Sequence, residues 1–124
     1  MKTFSTIIAS LLLLVGLSWL EIYQVGKLFH GFSEVLQGLY KKTEAQVATY
    51  EDGRAVRKYW TDARKRLYIW IPHTAIDNVD YQLNEALGYL SEKNHEDALP
   101  KLEVLIELSE RVPANYLIQW ENIF

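Results

Sequence analysis

From Thr3 to Leu20 the chain carries no charge, and its centre reads Ile7-Ile8-Ala9-Ser10-Leu11-Leu12-Leu13-Leu14-Val15. A helix apolar on every face has no side to give to water, so this stretch calls for lipid around it. At about 1.5 Å per residue it covers about 27 Å, close to the hydrocarbon thickness of a bilayer. The pattern predicts lipid contact over residues 4–25, with Trp19 and Tyr23 at the level of an aromatic belt.

A different rhythm follows. Ile22, Val25, Phe29, Phe32, Leu36, Leu39, Thr43, Val47 and Tyr50 recur in steps of three or four, which predicts one long helix leaving the membrane and amphipathic outside it. Gly26, Gly31 and Gly38 mark either a flexible juxtamembrane joint, the preferred reading at Gly26 and Gly31, or close helix packing. Glu51-Asp52-Gly53 reads as a turn. A second helix then places Val56, Tyr59, Trp60, Ala63, Leu67 and Trp70 on one face and ends at Ile71-Pro72, since the residue before proline disfavours helical geometry. The third is expected to start at Thr74, a cap with Asp77 three residues on, and to bury Ile76, Val79, Leu83, Ala86, Leu87 and Leu90. Ser91 to His95 form a polar break. Asn94 or Asp97 could cap a fourth helix; Asp97 is favoured, since Pro100 then falls in the first turn, and the stripe continues with Leu99, Leu102, Leu105, Ile106 and Val112. Pro113 should stop or kink it, and the apolar tail 116–124 should pack back.

The predicted fold is therefore all-α. An N-terminal transmembrane anchor (1–26) continues into an antiparallel bundle of two helical hairpins (27–124). An offset of 43 residues relates Leu36 to Val79, Tyr40 to Leu83, Val47 to Leu90, Ala55 to Ala98, Val56 to Leu99 and Tyr59 to Leu102. It is open to two readings: a pair of tetratricopeptide-like helix hairpins, or coincidence of two helical stripes.

Composition narrows this picture. The absence of cysteine excludes a disulfide, a thiolate zinc site, a cysteine nucleophile and a lipidated N-terminal cysteine. Four Trp, eight Tyr and four Phe give a small domain apolar area to fold on, and only 6 Gly and 3 Pro favour helices over hairpin turns. A cleaved leader is the competing reading of the first segment, with Gly16 and Ser18 before a cut at Trp19. The missing A-x-A pattern and the bulky new terminus favour a retained anchor. Lys2 precedes the span, whereas Glu21, Lys27 and Glu34 follow it. That predicts a cytoplasmic N-terminus and an extracytoplasmic domain in the cell membrane.

Net charge is −3, but residues 1–73 hold ten Lys/Arg against six Asp/Glu, and residues 74–124 hold three against ten. Arg54, Arg57, Lys58, Arg64, Lys65 and Arg66, interleaved with Tyr59, Trp60 and Tyr68, are a candidate surface for anionic lipid or wall polymer. The plainer reading pairs them with Glu103, Glu107 and Glu110 of the last helix. Nucleic acid is not expected, given the acidic whole and the external placement. His73, Asp77 and Asp80 are the nearest approach to a metal-dependent active site, although both aspartates also suit a helix N-terminus. No G-x-S-x-G, phosphate loop, H-E-x-x-H or calcium loop occurs, and no cofactor is expected. The favoured expectation is a non-enzymatic interaction module. It would offer a helical groove lined by aromatics such as Trp60, Trp70, Tyr81 and Trp120 to a protein partner, or self-associate along the juxtamembrane helix.

The Leu-rich leader, Trp70-Ile71-Pro72-His73, Asp77-Asn78-Val79-Asp80 and the terminal Glu121-Asn122-Ile123-Phe124 occur in that order. On them the chain resembles a family of small bacterial proteins known as domain of unknown function 4363. The resemblance covers nearly the whole length. It implies a membrane-associated helical protein of Gram-positive, often spore-forming, bacteria, and no biochemical activity.

Overall fold

A computed structural model describes residues 2–123, with side chains through Ile118. Among the described residues the chain forms four helices, α1 (Lys2–Glu44), α2 (Tyr50–Leu67), α3 (His73–Ser91) and α4 (His95–Ile123), and no strand. They run up, down, up, down. Tyr40 bonds Glu103 across α1 and α4, the Tyr59 hydroxyl reaches back to Leu28 on α1, and Lys101 on α4 meets Glu85 on α3. Each helix packs on two neighbours in the ring α1–α2–α3–α4, so α2 and α4 lie on opposite sides without close backbone approach.

The core follows the stripes. Val25, Phe29, Phe32, Leu36, Leu39 and Thr43 are buried on α1, and all six expected positions are buried on α3. Trp60 sits at the centre, 1% exposed, with its ring 4.8 Å from Phe32 and 6.1 Å from Phe29. Truncating a tryptophan so placed costs about 3–5 kcal/mol. On its N-terminal side α1 runs on alone, below the bundle. Its apolar window is long enough to cross a membrane and has none of its residues buried within the protein.

Several junctions differ from expectation. α1 ends at Glu44, not near Tyr50, because Gln46 turns into left-handed geometry (φ 62°), and Tyr50 opens α2. Glu51-Asp52-Gly53 is not a turn but the first turn of α2. Thr49 accepts from the Asp52 amide while Asp52 accepts from the Thr49 amide, a complete capping box. α3 starts at His73 with Pro72 as its cap residue, and Thr74 does not cap it. Asn94, not Asp97, caps α4: its Oδ1 takes the Asp97 amide at 3.2 Å and its Nδ2 donates to Asp97 Oδ2 at 2.7 Å. Pro100 thus lies in the second turn. Pro113 does not stop α4, which runs through it to Ile123.

α1 is a continuous helix across Gly26 and Gly31, so no break in it marks a joint at either. Gly31 serves close packing instead, as a Cβ there would run into the Tyr59 hydroxyl. The 43-residue offset matches burial at Leu36 and Val79 but not at Val47, which is exposed where Leu90 is buried. Of the tail, Tyr116 is buried and Leu117 and Ile118 are exposed. The side chains beyond, including Trp120, lie outside the described residues.

Candidate functional site

The two candidate constellations come apart differently. Asp80 is spoken for: Trp60 Nε1 donates to its Oδ1 at 2.6 Å and Arg64 Nη1 to its Oδ2 at 2.6 Å. His73 lies edge-on to Tyr68, ring centroids 4.4 Å apart, and Asp77 is exposed. Among the described residues no three His, Cys, Asp or Glu side chains converge as a metal site. His73, Asp77 and Asp80 are therefore not brought together, and the reason is the α2–α3 register, which spends Asp80 on a buried indole and a guanidinium.

The basic helix keeps its outward face. Buried Gly53, Val56, Trp60, Ala63 and Leu67 point inward, which leaves Arg54, Lys58, Thr61, Asp62, Lys65 and Arg66 outside. The pairing with Glu103, Glu107 and Glu110 does not form, because α4 lies across the bundle. Arg54 pairs with Glu51 in its own helix at 3.2 Å, Arg64 with Asp80, and Arg57 approaches the Tyr50 hydroxyl at 3.5 Å. Lys58, Lys65 and Arg66 have no ion-pair partner among the described residues. Glu107 is paired with Arg111, and Glu103 accepts from Tyr40, whose hydroxyl is thereby pushed above its ordinary pKa. The bundle thus has a basic side on α2, with six bases against three acids, and an acidic side on α4, with two bases against five acids among the described side chains.

A shallow hollow of about 450 Å³ marks the α2 face, lined by Arg54, Arg57, Lys58, Thr61 and Asp62 among others. Among the described residues the expected groove aromatics are set differently from one another. Trp60 is core, not surface. Tyr81 is 60% exposed on α3, and Trp70 is 38% exposed at the α2–α3 turn. Beside Tyr81, Glu85 is held below its usual carboxylate range by its bond from Lys101 and then by Tyr81, while Lys101 is raised by the same pair. Two features escaped the sequence reading, the Asp80 pairing and the Gly31–Tyr59 contact. Both depend on helix register, which no local motif encodes.

A family described as Domain of unknown function (DUF4363) matches residues 30–123, which is the bundle without the apolar stretch before it. No curated protein and no solved structure matches the chain.

Proposed function

We infer that this chain, which belongs to the DUF4363 family of unknown function, is a membrane-tethered, non-enzymatic interaction module that holds an acidic protein partner against the outward face of α2. The tether is α1, whose apolar half would cross the cell membrane with the N-terminus cytoplasmic and the bundle outside. The reading rests on one observation, the basic face of α2 turned away from the acidic helix of its own bundle. Lys58, Lys65 and Arg66 on that face have no ion-pair partner among the described residues and remain available for an external one, and complementary charge steers encounter and register.

The geometry favours a protein over a lipid surface along this face. α2 runs antiparallel to α1, so with α1 across a bilayer α2 stands upright beside the membrane. From Arg66 to Arg54 it climbs about 18 Å. That exceeds the screening length of about 8 Å in physiological salt, so the upper half of the face is beyond the pull of headgroups. The test is photo-crosslinking in membranes from a probe at Thr61. A discrete, salt-sensitive adduct with a second protein, lost when Arg54, Arg57 and Lys58 become glutamate, is expected. Adducts only with the chain itself would replace this reading by self-association.

A further inference from the structure

The bundle has a lower end, and its chemistry differs from that of its sides. Tyr59 meets Leu28, and Arg66 shares a cleft of about 460 Å³ with Leu20, Tyr23 and Lys27, so the end of α2 comes level with the end of the apolar run on α1. The turn beyond it carries Ile69, 78% exposed, and Trp70. On the other side Pro113 lines one hollow with Gly26 and Phe29, so α4 descends past that level with Leu117 and Ile118 exposed. Two separate elements, the α2–α3 turn and α4, therefore bring uncovered apolar side chains to the height of Trp19, Leu20 and Tyr23 on α1.

We propose that this end of the bundle docks on the bilayer that α1 crosses, with Ile69 and Trp70 seated in the headgroup boundary and Lys27 and Arg66 holding lipid phosphate in the cleft between α1 and α2. The proposal rests on the membrane-spanning reading of α1. Lipid is the occupant that fits, because the apolar tips are continuous with the apolar face of α1. Aromatic and aliphatic side chains at that depth, rimmed by cations, are also the composition of an interfacial membrane contact. Glu34 also lines the cleft but lies against His30 at 3.1 Å, and Lys27 and Arg66 have no ion-pair partner among the described residues, so both cations face the cleft for phosphate. Docking at Ile69 gives the domain a second foothold and fixes its rotation about α1, which would hold the basic face of α2 at a constant height above the membrane.

The chain has no cysteine, so single cysteines report cleanly. Full-length Ile69→Cys, Leu12→Cys and Val47→Cys chains would carry an environment-sensitive fluorophore in vesicles of phosphatidylcholine and phosphatidylglycerol. Lipids spin-labelled near the headgroup should quench the residue-69 probe by about half, the depth of an interfacial contact, and leave the residue-47 probe untouched. Lys27→Glu with Arg66→Glu should reduce quenching at residue 69 at least about twofold. Deep-labelled lipids should quench the residue-12 probe. Quenching at 12 without quenching at 69 overturns the docking while the span stands. No quenching at 12 overturns the span and the docking with it. A residue-69 probe shielded from aqueous iodide but not quenched by lipid means that a second chain covers the tip, which also defeats the proposal.

Discussion

Trp60 and Asp80 are joined by a 2.6 Å hydrogen bond from the indole nitrogen to Oδ1, across the α2–α3 interface and twenty residues apart in sequence. The indole ring is in the core, so its N–H has no access to water once the helices close. Asp80 answers that donor and at the same time anchors Arg64. The carboxylate that sequence spacing offered as a metal ligand is thus a register lock between two helices.

Replacing Asp80 with alanine should strand the indole N–H and leave Arg64 unpaired. The expected cost is about 1–3 kcal/mol, the range for a buried donor left without its acceptor. Asp77→Ala, at an exposed position, should change stability by less than about 0.5 kcal/mol. Thermal unfolding of both variants in detergent separates them. Equal, zinc-dependent losses at the two positions would point back to a shared metal site.

Two glycines on α1 should respond to the same substitution with opposite signs. Gly26→Ala adds a methyl group in open space and should stabilise by up to about 1 kcal/mol through helix propensity. Gly31→Ala drives its Cβ into the Tyr59 hydroxyl and should destabilise by about 1–3 kcal/mol, as overpacked sites do. Adding Tyr59→Phe to Gly31→Ala should recover most of that loss, because the clashing oxygen goes with it. Unfolding midpoints of the three variants decide the matter.

The contrast between these glycines shows what sequence periodicity carries and what it does not. A stripe such as Ile76, Val79, Leu83, Ala86, Leu87 and Leu90 encodes which face of a helix is buried, because burial repeats with the helical turn. It does not encode which helix covers that face. The order around the ring decides that Arg57 and Lys58 look outward rather than toward Glu103, and this order emerges only when four stripes close on one core. Helix starts are written in the sequence as spacing. Thr49-Tyr50-Glu51-Asp52 has the spacing of a capping box, and Asn94-His95-Glu96-Asp97 presents the same geometry with asparagine. Gly53 after Asp52 and Pro100 after Asp97 carry competing signals, a turn and a first-turn proline, that point to other boundaries.

Gln46 and Lys93 occupy left-handed backbone at φ 62° and 58°. A side chain there meets its own carbonyl at a cost of about 1–2 kcal/mol, whereas glycine adopts the conformation freely but loses more chain entropy on folding. Lys93→Gly, just after α3, and Gln46→Gly, just after α1, should each stabilise by up to about 1 kcal/mol. Their effects should add, since the two turns make separate local contacts. A lower midpoint for either glycine would show that its side chain contributes more than its backbone costs.

The capping box of α2 links stability to pH. The Thr49 amide, and to a lesser degree Lys42, hold the Asp52 carboxyl below its ordinary pKa despite some opposing desolvation. A group whose pKa is lowered by folding favours the folded state when ionised. Its stabilisation is complete above the unfolded carboxylate value and is lost as pH falls through the lower folded value. Stability of the wild-type chain should therefore decline from about pH 5 downward, with Glu85 adding to the same slope through its bond from Lys101. Asp52→Asn should flatten part of that decline while lowering stability at neutral pH, because the charged end of the reciprocal cap is gone. Thr49→Ala, which removes the other half of the box, should cost about 1 kcal/mol. It should leave the Asp52 amide without its acceptor at every pH. Unfolding curves from pH 3 to 7 for wild type and both variants test the linkage: an acid slope unchanged in Asp52→Asn would mean that other carboxylates carry it.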